Sequence, residues 1–301
     1  MTLDLLKLAA LDGFSYAGLL FLVSLGLTLI FGVQGIINVA HGSLYAFGGY
    51  TAASLVIWAL KMQAPAWVLL LLLVVAALAV GAILGGLIEI GLLRRVQDKD
   101  PVLQLLVTFA AFLMFEDLQR LIWGATPYSS SEVVALLGNV NLFGVTYTRY
   151  QLMLIPAVAI ISYLGLLFAL RRTRLGKQIV AVAHHREIAT ALGINTKRIG
   201  LITFVTGAFF GALGGAIAAP TTSLVPGVGT DMIVLSFSVV ATAGLGQITG
   251  ALITALMIGL ARSIAVYTAP EMEVAVPYLI MVAVLLVRPN GLFTVAQARR
   301  I

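Results

Sequence analysis

The chain has 301 residues, of which 61% are hydrophobic and only 10% charged, with a formal net charge of +6. Soluble domains carry about 25% charged residues, so this deficit excludes a soluble fold, and the long continuous apolar runs exclude a barrel of alternating strands. The absence of cysteine removes disulfides, thiolate metal sites and a cysteine nucleophile.

The expected architecture is all-α: a polytopic membrane protein with eight or nine spans in a single domain, residues 1–301, one or more spans broken by glycine. In chain order the apolar segments are Phe14–Gly32, a broken Val33–Leu60, Trp67–Leu93, Val102–Trp123, Gln151–Leu170, Ile199–Ala219, Met232–Leu245, Gly250–Tyr267 and Val274–Val287. A span needs about 20 apolar residues, so the shortest are expected to be tilted, buried or re-entrant. The N-terminal MTLDLLKLAALDGFSYAG lacks a basic leader region and a small-residue cleavage site, so it is not read as a cleavable signal.

The segment Gly26–Leu55 carries Gln34, Asn38, His41 and Ser43 inside an apolar run, together with Gly32, Gly35, Gly42, Gly48 and Gly49. Polar side chains are costly in hydrocarbon, and glycines loosen a helix or let backbones approach. A broken helix with polar groups at membrane depth points to a substrate path, here Gln34, Asn38, His41, Ser43 and Tyr45. His41 has two readings: contact with a passing solute, or a hydrogen bond to a carbonyl freed at the break. The second is the more ordinary, because buried polar groups chiefly need partners.

Glu89, near the end of the third segment, is expected to pair with Arg94 or Arg95. Glu116, Asp117 and Arg120 form a helical ion-pair set at the end of the fourth, or else a landing point for a soluble partner. Val133–Tyr147 alternates apolar and polar residues around Asn139 and Gly144, as a short surface hairpin does.

Arg171–Arg198 is the one long basic connection. Ile179, Val182, Ile188 and Leu192 recur at helical spacing within it, and Gly193 and Asn195 supply a stop. It reads as short helices lying along the membrane, either docking a soluble partner or simply held at the headgroups by arginine. Gly211, Gly214 and Gly215 share a helix face suited to close packing. Gly244–Gly250 is a second glycine-rich interruption, in a position that an internal repeat would give it. Arg262 lies inside a span and must find an acid, water or a substrate carboxylate.

Lys and Arg crowd three places: Arg94–Lys99, Arg171–Arg198, and Arg288 with Arg299 and Arg300. These are the expected cytoplasmic segments, which puts Gly124–Tyr150, Pro220–Asp231 and Thr268–Glu273 outside. This clustering in short loops marks topology rather than nucleic-acid binding. No P-loop or G-x-S-x-G element occurs and no metal-ligand set converges, so neither catalysis nor a cofactor or metal is expected. Three functions remain: the permease of an ATP-driven importer, an ion-coupled secondary transporter, and a passive channel for a small polar solute. Few carboxylates lie mid-span, and the long basic connection suits docking; both favour the first.

INVAHGSLYAFGGYTA resembles the signature of permease subunits in branched-chain amino-acid ABC importers, in its shorter H-type form. TRLGKQIVAVAHHREIATALGINTKRI and RPNGLF, Arg288–Phe293, resemble the same family's connection and ending. The resemblance implies a bacterial inner-membrane subunit partnered by an M-type permease, two cytoplasmic ATPases and a periplasmic binding protein. It places Glu187, Ala189 and Gly193 in the loop that couples to the ATPases, with Ile188 a small departure from the wider pattern. Substrates within the family include branched-chain amino acids, urea, amides and aromatic acids.

Overall fold

The computed structural model describes residues 3–142 and 144–293. Arg299 and Arg300, expected at the cytoplasmic end, lie outside them. The fold is all-α, as expected of a polytopic membrane protein. Seven helices among the described residues are long and apolar enough to cross a bilayer, and two shorter ones, Val228–Ala243 and Ala275–Val287, occupy two of the expected short segments.

Helix α1 (Leu3–Gln34) starts well before the expected Phe14 and is unbroken for 32 residues. The break falls just after it. Gly35 adopts φ +68°, a left-handed value that an L side chain resists, and residues 35–40 leave the helix. Helix α2 (His41–Lys61) then begins. Helix α3 (Ala66–Ile88) continues through a π turn, Glu89–Leu93, into one more turn, α4 (Arg94–Val96). The Asp100 carboxylate caps α5 (Pro101–Trp123) by accepting from the Val102 amide at 2.7 Å, with proline in the first turn where its missing N–H costs nothing.

A short helix, α6 (Glu132–Leu137), precedes the antiparallel pair β1 (Asn139–Leu142) and β2 (Val145–Thr148). The hairpin expected around Asn139 and Gly144 is therefore present; α6 was not anticipated. After a π turn at Tyr150–Leu154, α7 (Ile155–Arg172) runs to the basic connection, which forms α8 (Arg174–His184) and α9 (Arg186–Ala191). Three apolar helices complete the described chain after the long α10 (Thr196–Ala218): α11 (Val228–Ala243), α12 (Ile248–Thr268) and α13 (Ala275–Val287).

Helices α1, α2 and α10 form the centre, with α3 and α12 packed closely on them. Small residues allow it. A Cβ on Gly48 would lie 2.2 Å from the Ala212 carbonyl oxygen, and one on Gly215 1.9 Å from that of Tyr45. Lipid cannot drive helices together by hydrophobicity, so such close backbone contact supplies the packing energy. Outer faces of α3, α5, α7 and α13 expose large apolar residues, Leu71, Ile83, Leu121, Phe168 and Leu286 among them. The RPNGLF ending ties back onto the bundle: the Leu292 and Phe293 amides donate to the Thr242 and Ala243 carbonyls, and the Phe293 ring covers Gly250.

Candidate functional site

Depth follows from the helices that flank the break. His41 packs beside Gly211, fifteen residues into α10, and bonds to Val23, eleven residues before the end of α1. At about 1.5 Å per residue both place His41 roughly 16–22 Å from the basic end, near the middle of an apolar layer about 30 Å thick. Helix α2 therefore starts at mid-depth. Helix α11 starts there as well, because Gly229 abuts Gly42: a Cβ on either would fall within 2.6 Å of the other's carbonyl oxygen. From this junction α2 runs toward the hairpin end and α11 toward the basic end, where Gly246 meets Gly32. Two half-helix N-termini, each the positive end of its dipole, thus converge at mid-depth. Asp231, in the first turn of α11, is exposed beside this junction and has no ion pair among the described residues.

Each residue of the expected path has a definite place. His41 is fully buried; its Nε2–H donates to the Val23 carbonyl at 3.0 Å, which leaves Nδ1 buried without a partner. Asn38 is fully buried, and neither its oxygen nor its nitrogen has a partner. Ser43 is buried with an unpartnered hydroxyl. Tyr45 is buried, and its backbone carbonyl lies against Gly215 of α10. Gln34 stands apart from the other four, at the basic end, where its amide donates to Glu89 Oε2 at 3.2 Å and to the Gly200 carbonyl at 3.1 Å. Buried polar groups without partners cost about 1–3 kcal/mol each, so Asn38, His41 and Ser43 together form a concentrated polar defect at the break.

The expected ion pair of Glu89 with Arg94 or Arg95 is not formed. Glu89 is 3% exposed and its hydrogen-bond partner is Gln34, because the π turn carries its side chain inward toward α1 and α10. Arg120 does pair with Glu116 at 2.6 Å and Asp117 at 3.6 Å. Arg262 pairs with Glu273 and lies 4.1 Å over the Tyr16 ring.

In the basic connection, Thr173 caps α8 by accepting from the Gly176 amide. Gly176 packs so closely on α7 that a Cβ would lie 2.0 Å from the Ala169 carbonyl oxygen. Ile179, Val182 and Ala189 are buried together with Ile199 of α10, against Val33 at the base of α1. The sequence pattern grouped Ile188 and Leu192 with this face. They point away instead, 57% and 77% exposed, because the chain turns at His185 (φ −149°, ψ 85°) between α8 and α9. Glu187 is exposed beside them, and Gly193 ends α9 at φ +82°. Arg186 donates to Gln97 at 3.0 Å, joining this connection to the Arg94–Lys99 loop. A cavity of about 640 Å³ opens between α8, the base of α1 and the turn at Leu245–Ile248, with Gly35 on its wall.

Comparisons with known proteins agree with these features. Residues 9–285 match the family described as the permease component of the branched-chain amino acid transport system. The chain is 28% identical over 278 residues to the high-affinity branched-chain amino acid permease LivH of Escherichia coli K12, covering 90% of each. It is 27% identical over 279 residues to BraD of Pseudomonas aeruginosa, again over 90% of each. A probable LivH of Methanocaldococcus jannaschii is 28% identical over 296 residues, 92% of this chain and 89% of that one. The three motifs and their order had pointed to the same place, and the chain belongs to the permease family of branched-chain amino acid transport systems.

Proposed function

We propose that this permease is half of the transmembrane path of an ATP-driven importer for branched-chain or related amino acids in a bacterial inner membrane. The other half is an M-type permease, two cytoplasmic ATPases bind at the basic end, and a periplasmic binding protein delivers substrate at the hairpin end. The observation that carries this reading is the α8–α9 unit. Its buried face clamps the bases of α1 and α10, and its exposed Ile188, Leu192 and Glu187 present knobs to a partner. Movement of such a rigid unit acts directly on the bases of α1 and α10, and Gly35 at the break lines the cavity between it and α1. Glu187 and the exposed apolar pair engage the ATPase, Ala189 seats the unit, and Gly193 lets the chain turn back into α10.

The path runs past the break between α1 and α2. Asn38, His41 and Ser43 supply polar groups whose unmet bonding is relieved by water or solute when the junction of α2 and α11 opens. His41 holds α2 against α1, Tyr45 supports it on α10, and Gln34 fixes the base by bridging Glu89 and Gly200.

Reconstitution tests the whole reading. With a second permease, ATPases and binding protein from the same source, uptake of leucine requires ATP and the binding protein. Uptake by this chain alone, driven by a proton or sodium gradient, replaces the importer with a secondary carrier.

A further inference from the structure

At the hairpin end, a second cavity of about 240 Å³ lies between α1, the end of α10, α12 and the β hairpin. It is separate from the break and from the coupling unit. Its wall carries a carboxylate, Asp12, and a guanidinium, Arg262, with Ser15, Tyr16, Thr222 and Ser263 between them. Both charges are held in place by neighbours. Asp12 receives hydrogen bonds from the hydroxyls of Tyr147 and Tyr267, one on each oxygen. Arg262 is fixed by Glu273 and by the Tyr16 ring.

Neither group is exhausted by these contacts. A carboxylate offers about four acceptor positions and a guanidinium five N–H donors. The hydroxyl of Ser263 is the most informative atom. The residue is 6% exposed, lines this cavity and has no hydrogen-bond partner. An unmet hydroxyl on the wall of a polar cavity, between fixed charges of opposite sign, asks for a ligand with both a donor and an acceptor.

We propose that this cavity is an entry site for a small zwitterion, taking an ammonium group at Asp12 and a carboxylate at Arg262 and Ser263. Given the importer reading, on which this assignment rests, the occupant is the free amino acid arriving from the hairpin end before it reaches the break. Preorganised charges at a shallow site select for a solute carrying both groups and hold it weakly, because each charge already has a protein partner. Leu19, Ile155 and Val266 also line the cavity and give the solute's side chain an apolar wall, while the fixed charges read the α-amino-acid core.

The cysteine-free sequence makes the test direct. Thr222 is exposed at the cavity, and Thr222→Cys in the reconstituted importer gives a single reporter thiol in this chain. Without ATP, millimolar leucine slows its reaction with an impermeant thiosulfonate, whereas isoamylamine and 4-methylpentanoate, each lacking one charge, do not. Adding Ser263→Ala raises the half-protecting leucine concentration about fivefold, as expected for loss of one hydrogen bond, while labelling without leucine stays unchanged. Ser263→Thr, which keeps the hydroxyl, restores it. Equal protection by all three compounds, no protection by leucine, or an alanine variant indistinguishable from the parent overturns the site. ATP-driven uptake is measured in the same vesicles: uptake without protection removes only this site, and no uptake of any amino acid removes the importer reading beneath it.

Discussion

The Nε2–H of His41 donates to the carbonyl of Val23 across 3.0 Å, joining the first residue of α2 to the middle of α1. The turn that precedes α2 already satisfies its first amides, with those of His41, Gly42 and Ser43 donating to the carbonyls of Asn38, Val39 and Ala40. The imidazole adds a direct attachment of this helix start to α1. It fits because α1 and α10 present glycine on both sides of the ring: a Cβ on Gly26 would come within 2.9 Å of the imidazole, and one on Gly211 within 2.8 Å. The histidine and the two glycines are one packing unit drawn from three helices.

Gly211→Ala should therefore destabilise the protein by about 1–3 kcal/mol, the usual cost of overpacking. The new methyl must displace the imidazole and break its bond to Val23. In detergent, thermal unfolding should occur at lower temperature than for the parent. The test of mechanism is the double variant: once His41→Ala has removed the ring, adding Gly211→Ala should cost much less than it does alone. Strict additivity would show that the clash lies with another neighbour.

Gly193 offers a cleaner separation of folding from coupling. Its φ of +82° disfavours a β-branched side chain, yet nothing lies within 4 Å of an added Cβ. Gly193→Val should therefore cost only backbone strain, on the order of 1–3 kcal/mol at an exposed turn, and leave the bundle assembled. It should re-aim the exit from α9 and lower ATP-driven uptake at normal expression. Gly193→Asn, which tolerates the left-handed region, should retain most uptake. Equal uptake by the two variants would mean that the turn has no part in coupling.

Sidedness follows from charge. A cysteine at His185, in the basic connection, should resist an impermeant thiol reagent added to intact cells, and one at Asn141 in the hairpin should react. Both positions are exposed, so access depends on the side of the membrane alone. Rapid labelling at 185 with none at 141 would invert the orientation.

Much of this was legible because membrane-depth patterns are local. Long apolar runs announced the helices, and the glycine-rich stretch Gly32–Gly49 bracketed the break, which falls at residues 35–40. Alternation around Asn139 announced the hairpin. What escaped depends on distant partners. Nothing near Glu89 in sequence indicates that its hydrogen-bond partner is Gln34, 55 residues earlier. Ile188 and Leu192 share a helical period with Ile179 and Val182, and only the turn at His185 separates their faces. Asp231 read as the end of an outer loop; its place at mid-depth emerges from the contact of Gly229 with Gly42. Asp12 gave no signal, since the tyrosines that hold it are 135 and 255 residues away.

The break itself yields the sharpest test, because two roles for Asn38 make opposite forecasts. As a purely structural residue it is a poor one: both polar atoms are buried and unpartnered, each at a cost of about 1–3 kcal/mol. Replacing it by leucine of similar size removes that cost, so Asn38→Leu should leave stability equal or raise it. Ser43→Ala should behave alike. If the two side chains serve only the resting fold, uptake should be unchanged or improved. If they meet water or solute when the junction of α2 and α11 opens, uptake should fall several-fold in proteins that are no less stable. Leu71→Ala is the control for a substitution at the lipid face; Leu71 is 52% exposed, whereas its neighbour Leu70 packs partly against the core. Thermal unfolding and uptake measured on the same preparations decide between the roles. Stable variants with full uptake would move the path to another face of the bundle.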